Sequence, residues 1–421
     1  MRNKNLQLSI LAVGLALATA WAVRGRFGHE QGAAWAGAIG ALCLVLAARR
    51  RDWYAKVFQI AFAGAVGWGI SGMMSYGLIV GYGRANDFGN AFYGLLMLFV
   101  IGVLYGIIGG GLVGLSLLDS RQQRIPWATL FAEMVAFALL TYGLIINQLE
   151  WFMTPPRSEL WACGLGASIA LIWFVVRNGY ENVLKTAMWA ALGAGFGFAL
   201  GNFIQVVGAG FGIKFNFWNV MEYLIGLGGG AGMAYGVFTS SWPEAEERPA
   251  PRAGIIPLLF VALFVPFVVW DQSFVTSKMK EVIDGGGSES VILLFKLLAI
   301  LGILGVTVYG LRKLYSSEFL ETPRRTIATF FALYTGLYIF LSFLVTGYLT
   351  HPPEQYLYIV NLVAILWLLS RTEATFEVRA FRMGRWTAVA FILIVIIAVL
   401  AFAAIHSHEG LRGSNMRFVI N

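Results

Sequence analysis

Charge is what this chain has least of. Asp, Glu, Lys and Arg together make up 12% of its 421 residues, against roughly 25% in a soluble protein with a polar surface to cover. Cysteine is almost missing: Cys43 and Cys163 are the two. Both sit inside apolar runs, which argues against a structural disulfide or a CxxC metal site. Histidine numbers four, and His406-Ser-His408-Glu409 lacks the i, i+4 spacing of a zinc-binding HExxH helix. No GxxxxGK[ST] loop occurs, so ATP-driven work would need a separate partner. The expectation is no metal, no cofactor and no soluble catalytic domain.

What is present is hydrocarbon. Hydrophobic residues reach 58%, mean hydropathy is +0.73 and there are 50 glycines. The apolar residues come in blocks long enough to cross a bilayer, for which about 20 are needed. None alternates with period two as a barrel strand would, and backbone groups in lipid must be satisfied within the segment. The sequence therefore predicts an all-α, polytopic transmembrane bundle of about thirteen spans: 6–23, 33–48, 56–80, 91–118, 126–147, 159–177, 184–208, 218–239, 254–271, 290–311, 326–348, 355–370 and 386–405. MRNKN followed by an apolar run and ALATAWA resembles a signal peptide, but the run is long and an uncleaved first helix is expected. With the N-terminus inside, 20 Lys and Arg fall on the cytoplasmic side, 9 on the other and one, Lys296, within a span. The positive-inside rule then places the N-terminus in the cytoplasm and the C-terminus outside, in a cell (inner) membrane. The net charge of +8 is mostly this signal, which leaves a nucleic-acid partner little support. The lipid bilayer and a small solute are the expected partners, and self-association stays open.

One polar loop is written twice. GYGRANDFGN at 81–90 returns as GFGIKFNFWN at 210–219, with Gly81, Gly83, Phe88 and Asn90 matched by Gly210, Gly212, Phe217 and Asn219. Gly72 and Gly201 keep the same offset, Tyr105-Gly106 recurs as Tyr235-Gly236, and Trp35-Ala36 as Trp161-Ala162. The order of these matches predicts a duplicated four-helix unit, spans one to four and five to eight, in residues 1–120 and 121–241. Four is even, so the copies are parallel, related by an axis along the membrane normal. The polar linker SWPEAEERPAPRAG then leads to a five-helix extension, 254–421. Glycine follows the same division, with 38 of the 50 before residue 254. Small residues at helical spacing let backbones approach without a hydrophobic drive.

Polar residues beside the repeat loops are the candidate site. RGRFGHEQG places Arg24, Arg26, His29 and Glu30 in the first outer loop, where arginines work against the topology signal unless they bind something. The repeat loops add Arg84, Asp87 and Asn90, then Lys214 and Asn219. Asn202, Gln205 and Glu222 lie within or near the outer half of spans seven and eight, where polar groups normally face a wet cavity. The expectation is a positive outward mouth formed by Arg24, Arg26, Arg84 and Lys214, with Glu222, Asn202 and Gln205 as its floor. Asn90 and Asn219 then either offer amides to a solute or cap their helices. No residue is assigned a catalytic role. The reading is a transporter or permease for a small polar solute, with an anion favoured by the arginines. A membrane-embedded enzyme acting on a lipid-linked substrate at the outer face, using His29, Glu30, Asp87 or Glu222 as acid or base, and a structural subunit are the alternatives.

This topology has a direct test. In intact cells, an impermeant thiol reagent should label Asn86→Cys and not Glu246→Cys; the opposite pattern would invert the orientation.

Overall fold

The computed structural model describes residues 2–245, 251–282, 288–346, 353–373 and 375–418, apart from a few side chains, His29 among them. Part of the linker at 241–253 thus lies outside the described residues. No strand occurs among those described. Over the described residues each of the thirteen apolar runs is helical, except that the expected span 56–80 is interrupted at 73–76. Residues 1–120 hold α1 (Arg2–Arg24), α2 (His29–Ala48), α3 (Val57–Gly72), α4 (Gly77–Gly83) and α5 (Phe88–Leu118). Residues 121–241 hold α6 (Trp127–Gln148), α7 (Trp161–Arg177), α8 (Glu181–Gly210) and α9 (Phe217–Phe238). The extension holds α10 (Arg252–Ser273), α11 (Glu289–Leu314), α12 (Pro323–Val345), α13 (Pro353–Arg371) and α14 (Met383–Ile405).

Among the described residues, ten helices are long and apolar enough to cross a membrane, or eleven if α3 and α4, bent by 63° at their junction, form one span. The chain is a multi-pass membrane protein. Two of the thirteen runs fall outside that count: α7 has 17 residues, and α9, at 22 residues, is diluted by glycine.

Two polar devices fix the helix ends, and each occurs twice at a spacing of 129 residues. Asp87 caps α5 by accepting from the Asn90 amide at 2.8 Å, and Asn216 caps α9 by accepting from the Asn219 amide at 3.2 Å. At the opposite end of the bundle, Lys56 donates to the Leu117 and Asp119 carbonyls where α5 finishes. Lys185 does the same at the Thr239 carbonyl beyond α9 and also reaches the Arg379 carbonyl. An ammonium at a helix C-terminus meets orphan carbonyls and the negative end of the dipole.

The interior consists of α1, α2, α3, α5, α8 and α9. Outside it, α6 and α7 pack on each other, α10 and α12 lie against α2, and α13 lies along α1. The last helix, α14, crosses to α5 and α8. Burial follows this order: 94% of the apolar window of α2 is covered by protein, against 17% for α6 and α14, which therefore present most of their surface to lipid.

Glycine permits the interior crossings. A Cβ added to Gly193 of α8 would sit 2.0 Å from the Gly228 carbonyl oxygen of α9, and one on Gly106 of α5 would sit 2.3 Å from the Ala190 backbone of α8. At such distances the partner is backbone and cannot rotate away, so van der Waals contact between main chains takes the place of side-chain interdigitation. By contrast a Cβ on Gly77 would meet nothing within 4 Å. Gly193→Leu should therefore lower stability by about 1–3 kcal/mol or more through overpacking, read as an earlier thermal melt in detergent, while Gly77→Ala should melt with the native chain.

Candidate functional site

The last turn of α1 carries Arg24 inward. Its side chain is 1% exposed, beside a Glu222 side chain that is 7% exposed. The Arg24 Nε and Nη2 donate to Glu222 Oε2 at 3.0 and 2.7 Å, and Nη2 also reaches the Tyr76 hydroxyl at 2.7 Å. Tyr76 in turn donates to Glu222 Oε1 at 2.7 Å. Three segments distant in sequence thus meet at one fork of charge-assisted bonds. The Trp21 ring lies 5.0 Å from the guanidinium carbon, where the face of an indole attracts a cation.

Tyr76 stands where α3 breaks. Residues 73–76 separate α3 from α4, and a non-helical backbone at membrane depth needs its polar groups met. The Met73 and Met74 amides bond back to Ile70 and Ser71, and the Met74 carbonyl accepts from the Tyr105 hydroxyl at 3.1 Å. Behind the break, Trp21, Trp68, Tyr105 and Phe198 form a chain of rings: Trp21 meets Trp68 at 5.3 Å and Tyr105 at 5.8 Å, and Phe198 meets Tyr76 at 4.8 Å.

In front of the break is a cavity of about 470 Å³, within the size range of small-molecule sites. Met73 to Gly77, Gly25, Arg26 and Glu30 line it from one side; Asn216, Trp218, Asn219 and Glu222 line it from α9 and its cap; Arg157 stands before α7. The extension closes the site from behind. Arg26 pairs with Glu354 of α13 at 2.8 Å, and Asn216 donates to the same carboxylate at 2.9 Å. The Asn219 amide donates to the Ala22 carbonyl at 2.9 Å and to the Tyr358 hydroxyl of α13 at 2.5 Å.

Five sequence candidates gather here: Arg24 behind the cavity, and Arg26, Glu30, Asn219 and Glu222 on its wall. The side chain of His29 lies outside the described residues. The others stand apart. Arg84 stacks over Trp218 at 5.3 Å and donates to the Arg412 carbonyl, and burial pushes its guanidinium pKa down. Asp87 is occupied as the cap of α5, while Lys214 is exposed at its loop. Asn90 and Asn219 are third helical residues and not caps. Asn90 instead holds the C-terminal tail, its carbonyl accepting from the Arg417 and Phe418 amides at 2.6 and 2.9 Å. Asn202 and Gln205 do not form the floor: they bond each other at 3.0 Å, buried beneath Gly83, whose Cβ would strike Asn202 Oδ1 at 1.9 Å. Close approach of α4 fills the space that a floor would require.

The sequence reading missed Glu354, Tyr358 and Arg157. Glu354 follows Pro353 at the start of α13, where an acidic residue suits the helix dipole, so nothing in the local pattern marked it as an arginine partner. Among the described residues no group of three His, Cys, Asp or Glu is placed to share a metal ion. A scan against protein-family models finds no match, and neither do searches of curated proteins and of solved structures.

The ion pair has a measurable signature. Glu222→Gln leaves the Arg24 charge buried without its counter-charge, which costs about 3–5 kcal/mol. The variant should melt well below the native chain, and adding Arg24→Gln should recover part of that loss. A melt unchanged in Glu222→Gln would show the pair to be energetically idle.

Proposed function

We propose that this membrane protein carries a small polar solute across the bilayer, taking it up in the cavity beside the α3–α4 break. The observation that carries this reading is the broken helix itself. Irregular backbone at membrane depth is tolerated where it lines a cavity or is buried in protein, and discontinuous helices recur at the solute sites of secondary transporters. Here the break faces a polar cavity on one side and a wall of aromatic rings on the other, an arrangement suited to a site open toward one face of the membrane at a time.

The charges around the cavity bear on the solute. Arg24 and Arg26 are each met by a carboxylate, Glu222 and Glu354, so the positive mouth expected from sequence is largely neutralised. Arg157 and Glu30 are the exposed charges of opposite sign on the wall. Such a lining suits a solute offering both donors and acceptors, with an acidic group placed toward Arg157. From the distribution of Lys and Arg, the cavity opens away from the cytoplasm of an inner membrane. The paired caps Asp87 and Asn216, and the paired lysines Lys56 and Lys185, support duplication of the unit in residues 1–120 and 121–241. Because α1 and α2 are central while α6 and α7 are peripheral, the two halves face the solute differently.

Gly77 offers the experiment, since a side chain there projects into open space. In proteoliposomes screened with radiolabelled amino acids, sugars and organic acids, the native chain should take up at least one class. Gly77→Trp should abolish that uptake without shifting the melt. Equal uptake by both chains for every solute would overturn the proposal.

A further inference from the structure

We propose that the cavity also binds an amphiphile: a membrane lipid whose small anionic head enters the solute cavity and one of whose chains lies in an apolar seam between α3 and α6. The inference rests on the cavity reading above and adds a second ligand that shares the head site with the solute. Met73 and Met74, which line the polar cavity, also line an apolar hollow of about 160 Å³ with Ile70, Met134 and Ala138. Phe131 also lines a second hollow of about 220 Å³, walled by Phe62, Val66 and Trp127, and a turn of its ring would join the two. The seam therefore runs along α3 from Gln59 to Met73, about 21 Å at 1.5 Å per residue. That exceeds one leaflet's share of a hydrocarbon core about 30 Å thick, so it can take the whole length of one chain.

The two compartments adjoin at a single wall made of methionine. Thioether side chains are unbranched and adaptable, so Met73, 46% exposed, and Met74, 2% exposed, can repack around a chain passing between them. A water-soluble solute would have no use for the seam, and a lipid bound only by its chain would have none for the cavity. The head is placed by Arg157, exposed at the cavity wall, and by the Arg26 Nε, a buried donor with no hydrogen-bond partner among the described residues. Both suit a phosphate oxygen, which forked guanidinium donors recognise well. The open flank of the seam is at Val135, exposed on the lipid-facing side of α6, so the lipid can arrive sideways from the bilayer.

The test uses the purified full-length chain in detergent with three probes: tritiated phosphatidylglycerol, phosphatidylcholine, and sn-glycerol 3-phosphate as the chain-free head. Phosphatidylglycerol should bind saturably and more tightly than phosphatidylcholine. Gly77→Trp, which occupies the head site, and Ala138→Trp, which fills the seam, should each weaken it by about tenfold or more, the equivalent of some two buried methylenes. In the native chain, a diazirine on the lipid chain should crosslink to α3 and α6, a readout that does not depend on either variant folding. Equal phosphatidylglycerol binding by the native chain and Ala138→Trp, with crosslinks spread over all lipid-facing helices, would reduce the seam to ordinary bilayer contact and overturn the inference. Binding of sn-glycerol 3-phosphate as tight as that of the lipid would also overturn it, while leaving the polar-solute reading standing.

Discussion

An arginine cannot shed its proton inside a protein, and the bundle is organised around that constraint at Arg24. The end of α1 delivers its charge into a space closed in by protein, with 1% of the side chain exposed, so an anion must be brought to meet it. Glu222 of α9 and the hydroxyl of Tyr76 do so, which ties α1 to α9 and to the break between α3 and α4. The approach is feasible because α9 is glycine-rich on that face: a Cβ on Gly226 would lie 2.5 Å from the Leu17 carbonyl of α1. Backbone contact draws the helices together, and the ion pair fixes their register.

The five-helix extension takes part in the site. Glu354 neutralises Arg26, Tyr358 meets Asn219, and the Tyr338 hydroxyl donates to the Gly32 carbonyl at 3.0 Å while its ring stacks on Trp35 at 4.4 Å. The tail after α14 bonds back to the first repeat loop through Asn415 and Gly81, and through Asn90. The polar end of the molecule is therefore held by segments from all three parts of the chain. A cavity so enclosed keeps its shape where the α3–α4 break alone would leave it loose.

Two unlike linings adjoin at the α3–α4 break. The cavity wall of arginine, glutamate and asparagine is stabilised by pairs within the protein, and Met73 and Met74 line both that cavity and a hollow that is almost wholly carbon. Polar groups at membrane depth are costly unless met, which is why the polar lining is confined to one side of the break and the opposite side is aromatic.

The sequence by itself determined the helices and the medium. Long apolar runs with little charge have one stable backbone solution in lipid, so the helices stand near where hydropathy puts them, except that hydropathy ran α3 and α4 together as one span, 56–80, and gave no sign of the break between them; the glycine spacings of α5, α8 and α9 announced close crossings that the structure contains. Arg26, Glu30, Asn219 and Glu222, which line the cavity, were legible as candidates because a polar group near a span is expensive and must have a reason. Which partner each would find was not legible. Glu354 lies 328 positions from Arg26, and periodicity along one helix carries no information about a carboxylate brought in by another. Asn202 and Gln205 show the converse: their polarity marked them, but the close approach of Gly83 turned them toward each other and out of the cavity. Local sequence decides what a helix is and which groups need satisfying; only the packing of distant helices decides who satisfies them.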